Sequence, residues 1–270
     1  MRELHERTCE WDDVLHNGKR EDDDETEGWK NIRTPFQKCH GFNERQQGDR
    51  MNITGIEWTD RTVNPWVGCP HGCAYCYARR LAKRQRQRCQ LCYQFVTHPH
   101  MERLDQITPR QKPKKIFIDS MWDWNADGIP MKDLLTIIEK MRECSQHTFQ
   151  ILSKRPDQYY RFTFPENVWL GTSVSGESDN YRIYGLYDNT DKKKNIRFVS
   201  AEPLHGSLRT PLEKNELDWV IIGAETGNRK GKIVPRAEWV EDIIDNCRAE
   251  KIPIFIKENV GWPKKIQEFP

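Results

Sequence analysis

No run of the chain approaches the ~20 consecutive apolar residues that a membrane helix needs. Residues 1–20 (MRELHERTCEWDDVLHNGKR) also hold no apolar core of the kind a secretory signal requires. A soluble, cytoplasmic protein with no membrane partner is therefore expected. Charge of one sign is equally scarce: 43 Lys and Arg against 41 Asp and Glu leave a formal net charge of +2, which by itself calls for neither a nucleic-acid nor a membrane partner. The nine cysteines are an odd number in a long chain, and a cytosol keeps thiols reduced, which argues against a disulfide framework. Clustered cysteines in that setting favour metal binding.

A chain of 270 residues suffices for one large α/β domain or two small ones. Ten Trp, eight Tyr and ten Phe argue against wholesale disorder. Residues 1–50 stand apart: they carry the acidic run Glu21-Asp22-Asp23-Asp24-Glu25 and the polar tract from Asn43 to Arg50 with no sustained periodicity. They are expected to form a poorly ordered extension ahead of a domain spanning residues 51–270.

From Thr54 onward short apolar, β-branched runs alternate with helical or turn-rich segments. The runs are Ile116–Ile118, Phe149–Leu152, Val168–Leu170, Ile196–Val199, Trp219–Ile222 and Ile252–Ile256. Helices are expected at Met131–Arg142, with Leu134, Leu135, Ile138 and Met141 on one face, and at Ala237–Ala249, with Val240, Ile243, Ile244 and Cys247. Together with a strand just before Cys69, this pattern predicts an α/β fold with about seven parallel strands, a complete or partial (βα) barrel. The runs end in polar clusters: Asp119-Ser120, Ser153-Lys154-Arg155, Thr172-Ser173, Ser200-Ala201-Glu202, Gly223-Ala224-Glu225 and Lys257-Glu258-Asn259. In a parallel barrel such ends gather at the C-terminal mouth, where active sites are built. Strands simply emerging into solvent would account for some of them.

The segment NPWVGCPHGCAYCYARR, residues 64–80, sets Cys69, Cys73 and Cys76 within eight residues, and Gly68 and Gly72 permit the unusual dihedrals that curling them around one centre requires. Structural zinc and ferredoxin-type clusters use four protein ligands. Three thiols leave one position open, as expected where a substrate or cofactor must bind the metal. The competing assignment is a zinc knuckle completed by His71 or a distant thiol, with His71 otherwise a solvent-facing loop residue.

Cys-x-x-x-Cys-x-x-Cys with an aromatic, Tyr75, before the last cysteine, after the first strand of a (βα) barrel, resembles the radical S-adenosylmethionine (SAM) superfamily. The segments GIEWTDRTVNPWVGC (55–69), CAYCYARRLA (73–82), KKIFIDSMWDW (114–124), HTFQILSKRP (147–156), NVWLGTSV (167–174), RFVSAEPL (197–204) and DWVIIGAETG (218–227) resemble a phage-associated, radical-SAM-like family of unassigned function, distantly similar to spore photoproduct lyase. The resemblance runs from about Thr54 to Trp262. It implies a [4Fe–4S] cluster on Cys69, Cys73 and Cys76 whose fourth iron is chelated by SAM. It further implies reductive cleavage of SAM to a 5′-deoxyadenosyl radical and an electron donor of the flavodoxin or ferredoxin type. Tyr75 would pack near the adenine. Ser120 and Asp123 are candidates for the SAM amino group, and Thr172 and Ser173 for its ribose or carboxylate. Lys154 and Glu202 are the first choices for residues facing substrate, ahead of Arg155, Glu225 and Lys257. One departure is that the glycine-rich acidic motif many members carry after the second strand is replaced here by Asp119-Ser120-Met121-Trp122-Asp123.

Within an expected insertion at 84–110, Cys89-x-x-Cys92 is followed by His98 and His100. Two thiols and two imidazoles suffice for tetrahedral zinc, although the five-residue interval between Cys92 and His98 is tighter than in the usual finger. An auxiliary cluster or plain reduced cysteines are the alternatives. The basic run Arg79, Arg80, Lys83, Arg84, Arg86 and Arg88 reads either as a phosphate-binding footprint, implying an anionic or nucleic-acid substrate, or as a solvated helix face. Against the radical SAM enzyme stand two other classes: a non-catalytic, metal-stabilised binding module of a phage or mobile element, and an electron-transfer protein.

Overall fold

The computed structural model describes residues 51–208, 212 and 216–270; the extension expected over residues 1–50 lies outside them. The chain opens with three two-residue strands, β1 (Asn52–Ile53), β2 (Arg61–Thr62) and β3 (Trp66–Val67), then helix α1 (Tyr77–Ala82), helix α2 (Gln90–Gln94) and β4 (His98–Pro99). The apolar runs follow as strands: β5 (Lys115–Phe117), β6 (Thr148–Ser153), β7 (Val168–Val174), β8 (Arg197–Ala201), β9 (Trp219–Ile222) and β10 (Ile254–Ile256). Helices α3 (Met131–Glu143), α4 (Tyr181–Asp188) and α5 (Ala237–Ala249) connect them.

Eight strands form one sheet in the order β1-β2-β5-β6-β7-β8-β9-β10. Seven are parallel, and β1 runs antiparallel to β2. The strand expected just before Cys69 is present but belongs elsewhere. β3 pairs antiparallel with β4, Trp66 opposite Pro99 and Val67 opposite His98. β2 takes the place beside β5, and Pro65, which has no N–H to donate, ends the ladder before β3 can join it.

Side-chain alternation divides the sheet into two faces. Ile116, Phe149, Leu170, Val199, Val220 and Ile254 lie on the helix-covered face, in the main core. In α3 that core takes Leu134, Ile137, Ile138 and Met141, whereas Leu135 stays 48% exposed. The stripe follows i, i+3, i+4, i+7 from Leu134, and Leu135 is turned about 100° away from it. α5 buries Val240, Ile243 and Cys247 as expected. On the other face Phe117, Phe198, Trp219, Ile221 and Phe255 gather around Trp58. The Trp58 ring centroid lies 4.8 Å from that of Phe117, 6.2 Å from Phe198 and 6.3 Å from Trp219. β5 and β9 are four strands apart, about 19 Å in a flat sheet, so the sheet must be strongly curled for one indole to meet both. Glu57 also draws the β10 side toward the β1–β2 connection: the Glu258 N–H (3.0 Å) and Gln267 Nε2 (3.2 Å) both donate to its Oε2. Among the described residues β1 and β10 are not paired with each other. No helix among these residues is long and apolar enough to cross a membrane.

Trp58→Ala removes the ring that the concave-face aromatics share and leaves a cavity. It is expected to destabilise the protein by about 3–5 kcal/mol, seen as a lower urea midpoint in equilibrium unfolding.

Candidate functional site at the C-terminal edge of the sheet

The three-thiol loop begins where β3 ends. Gly68 takes φ +94° and Gly72 φ +65°, and the Gly68 N–H donates to the Met121 carbonyl at 3.0 Å. A Cβ on Gly68 would lie 2.3 Å from the Val96 carbonyl group, so only glycine lets the loop seat there. The Cys76 N–H closes on the Cys73 carbonyl at 3.1 Å, and the Cys76 Sγ accepts the Arg79 N–H at the start of α1. All three cysteines are half-buried. Burial pushes the Cys69 thiol up to about 12, with Asp123 and the Cys73 and Cys76 thiols adding to the rise. A bound metal cation reverses that balance, because it stabilises the thiolate.

α1 and its loop span the ends of five parallel strands. The Tyr77 hydroxyl donates to the Ser120 carbonyl (2.6 Å) after β5. Tyr75 meets residues beyond the next three strands: its hydroxyl lies 3.4 Å from both Lys154 Nζ and Ser175 Oγ, and its ring packs edge-on against His205 at 5.1 Å. Arg80 reaches past β9 to the Thr226 carbonyl and, at 3.2 Å, its hydroxyl. On the concave side Glu202 pairs with the buried Lys257, and Gly223 leaves the room that the Glu202 side chain occupies, since a Cβ there would sit 2.7 Å from its carboxyl carbon. Glu225, buried, is held by both arms of Arg229 (2.7 and 2.8 Å) and lies 3.4 Å from His205. The Arg229 guanidinium keeps that carboxyl below its ordinary value of 4.5.

Beneath the mouth lie two buried carboxylates. Asp123 accepts the Ser153 hydroxyl (2.7 Å), the Asn125 N–H (3.1 Å) and the Lys154 N–H (2.9 Å), and lies 3.3 Å from His71 Nε2. Burial opposes its ionisation, yet His71 and these donors hold its carboxyl below the usual range. Burial, and after it the Asp123 charge, pushes Asp119 well above that range. His71, expected to face solvent, is half-buried instead. It is tucked against Asp123.

The expected cofactor contacts divide. Ser120 is committed to Asn64, which also takes the Met121 N–H at 2.8 Å. Asp123 is committed as described. Thr172 is fully buried and donates to the Ser153 carbonyl (2.8 Å). Ser173, one position on, has the alternation of the concave face, as do Lys154 and Glu202 in their own strands. Arg155 turns outward to pair with Asp127. Sequence reasoning passed over Ser175, His205, Arg229 and Asn64. The period-2 continuation from Ser173 to Ser175 was the one available signal.

A second donor set lies against the first. Cys89, Cys92, His98 and His100 offer ligand atoms that all fall within 4.8 Å of one another, with Cys89 half-buried and the others buried. Burial pushes both imidazoles down, His100 to about 4. All six neighbouring basic residues are exposed: Arg79 lies over Phe95, Lys83 and Arg86 over Tyr93, and Arg80 against Thr226, while Arg84 and Arg88 lie farther along the run.

The fold and the site define an α/β protein with two cysteine-containing donor sets beside the C-terminal edge of a parallel sheet. The chain belongs to the family described as Protein of unknown function (DUF5131), whose model matches residues 53–268. No curated protein matches it by sequence. A solved structure of a cysteine-to-alanine mutant of spore photoproduct lyase is similar in fold, with a TM-score of 0.51 at 11% identity, covering 76% of each chain.

The Glu225–Arg229 pair makes a pH prediction. With the native carboxyl lowered, the pair's stabilisation is complete above the unfolded value of 4.5 and is lost as pH falls through the lower folded value. Glu225→Gln should lower the Tm at neutral pH and flatten its decline between about pH 5 and about pH 3. Thermal melts across that range measure it.

Proposed function

We propose that this chain is a radical SAM enzyme on a partial (βα) barrel, acting on a substrate bound at the polar mouth. The observation that carries this reading is the position of Cys69, Cys73 and Cys76. They sit on a loop whose flanking residues touch the ends of β5 through β9, where parallel α/β folds build active sites. The donor set fits a [4Fe–4S] cluster with one open iron: three thiols and no fourth cysteine in the loop. The likeness to spore photoproduct lyase, a radical SAM enzyme, supports the fold.

With SAM and the cluster bound, the pair would supply a 5′-deoxyadenosyl radical on one-electron reduction by a flavodoxin- or ferredoxin-type donor. The chain's own residues have simpler tasks. Cys69, Cys73 and Cys76 would hold the cluster, and Tyr75, fixed by Lys154, Ser175 and His205, would form the wall against the adenine. Ser173 and Ser175 would offer hydroxyls to the ribose or carboxylate. Asp123 acts as a positioning residue, since it holds the Lys154 backbone and His71. Among the described residues Lys154 has Tyr75, not a carboxylate, as its partner, which suits it to an anionic substrate such as a nucleotide or nucleic acid. Glu202, paired with Lys257, completes the substrate side. The aromatic plug around Trp58 closes the concave face from below.

The test is anaerobic reconstitution with iron and sulfide, reduction with dithionite, and measurement of 5′-deoxyadenosine from SAM. Wild type is expected to form it and Cys76→Ala to fall to background, while Lys154→Ala keeps cluster absorption and loses about tenfold or more in substrate-dependent turnover. Equal product from Cys76→Ala would end the proposal. Stoichiometric zinc at the three-thiol loop with no iron–sulfur absorption would instead favour a metal-stabilised binding module.

A further inference from the structure

The Cys89–His100 segment has a purpose that the reaction above does not use. His98 Nδ1 donates to the Val96 carbonyl (2.7 Å), and His100 Nδ1 donates to Glu102 Oε1 (3.2 Å). An uncharged imidazole with its proton at Nδ1 carries a lone pair at Nε2. The two Nε2 atoms lie 2.8 Å apart. His98 Nε2 is 3.5 Å from Cys89 Sγ and 3.4 Å from Cys92 Sγ, and His100 Nε2 is 3.2 Å from Cys92 Sγ. With both protons on Nδ1, the two Nε2 lone pairs face each other and repel unless a positive centre lies between them.

Tetrahedral zinc, with bonds of ~2.3 Å to sulfur and ~2.0–2.1 Å to nitrogen, sets sulfur about 3.6 Å from nitrogen and the nitrogens about 3.3 Å apart. Three of the four sulfur–nitrogen separations come within a few tenths of an ångström of that, the imidazoles need part by only about half an ångström, and no two ligand atoms are more than 4.8 Å apart. Two thiolates neutralise a divalent ion, which removes the cost of burying net charge. Each imidazole already has the outer partner that orients a metal-bound histidine. The Cys92 N–H points at Cys89 Sγ (3.4 Å) and supports it as a thiolate.

We propose that Cys89, Cys92, His98 and His100 hold one structural zinc ion, and that this ion fixes the β3–β4 ribbon on which the three-thiol loop is folded. Four protein ligands close the coordination shell, so the ion contributes folding energy and no chemistry. The link to the loop is direct. His98 is the strand partner of Val67, and the His100 N–H donates to the Pro65 carbonyl at 2.7 Å. Gly68 lies against the backbone of Val96 and Thr97. Cys92 and Phe95 share one apolar cluster with Cys69 and Cys76.

The experiment uses the full chain, purified anaerobically, with zinc and iron measured by mass spectrometry and Co(II) exchanged as a spectroscopic probe. Stoichiometric zinc is expected in wild type and in a variant with Cys69, Cys73 and Cys76 all replaced by Ala, so failure of the iron–sulfur reading leaves this result intact. Cys92→Ala and His100→Ala should lose zinc about tenfold or more. Should those variants unfold, His100→Cys decides the matter: it should retain the ion and strengthen the thiolate-to-cobalt charge-transfer band. Stripping zinc with a chelator should speed amide exchange over residues 64–76 about tenfold or more. Zinc retained by Cys92→Ala, zinc lost from the three-thiol variant, or no zinc in wild type overturns the site. Unchanged exchange over residues 64–76 after stripping overturns its role in holding the loop.

Discussion

The indole of Trp58 touches Phe117, Phe198 and Trp219 at once, and because those rings stand on strands that a flat sheet would hold far apart, this contact sets the curl on which the mouth depends. Once the sheet curls, alternation along each strand assigns every second side chain to the concave face. At the N-terminal ends of the strands those positions are aromatic and packed together. At the C-terminal ends the same alternation brings Lys154, Ser173, Glu202, Glu225 and Lys257 toward a common centre. The polar mouth is therefore a consequence of the apolar plug below it. Neither end works without the other, since a flat sheet would set Lys154 and Lys257 on well-separated strands.

Much of this was legible in the sequence, because the parallel strands are buried on both faces and so appear as continuous apolar runs. All six such runs are strands of the main sheet. The error at β3 has a local cause. Two-residue strands leave too short a pattern to distinguish a sheet strand from a ribbon, and only the presence of β2 shows which place was already taken. Leu135 was misplaced because Leu134-Leu135 reads equally well from either residue until Ile137 is counted. Thr172 and Ser173 could not both have faced the mouth, a point that period-2 alternation alone would have settled. His71 was the harder case. Nothing in its neighbourhood in sequence announces Asp123, which comes to it from the end of another strand.

Asp119 and Asp123 illustrate why charged residues beneath a polar mouth resist prediction. Both are buried and four residues apart, yet one is pushed up and the other held down. The difference lies in the donors each receives. Asp123 has a hydroxyl, two backbone N–H groups and an imidazole beside it, whereas Asp119 has backbone N–H groups alone, those of Leu152, Trp124 and its own residue, with no imidazole or hydroxyl to offset its burial and the charge of Asp123. A pair with opposite shifts in a cleft often marks acid–base chemistry. Here the geometry favours architecture, because Asp123 ties its own turn, through the Asn125 N–H, to the segment that carries Lys154 and to His71 of the three-thiol loop.

The two cysteine sets pack in one apolar cluster, yet on the readings proposed above they would hold different metals. Donor type would separate them. The ligand atoms of Cys89, Cys92, His98 and His100 lie within 4.8 Å of one another and would close on a single ion, and imidazole nitrogens suit zinc better than an iron–sulfur cluster. The three-thiol loop offers sulfur at Cys69, Cys73 and Cys76, with His71 Nε2 turned to Asp123. The backbone links the sets as well. Gly68 approaches the Val96 main chain, and the His98 imidazole is fixed by its bond to the Val96 carbonyl. The same carbonyl group thus restrains both sites, orienting a ligand of one and setting the approach of the loop that carries the other.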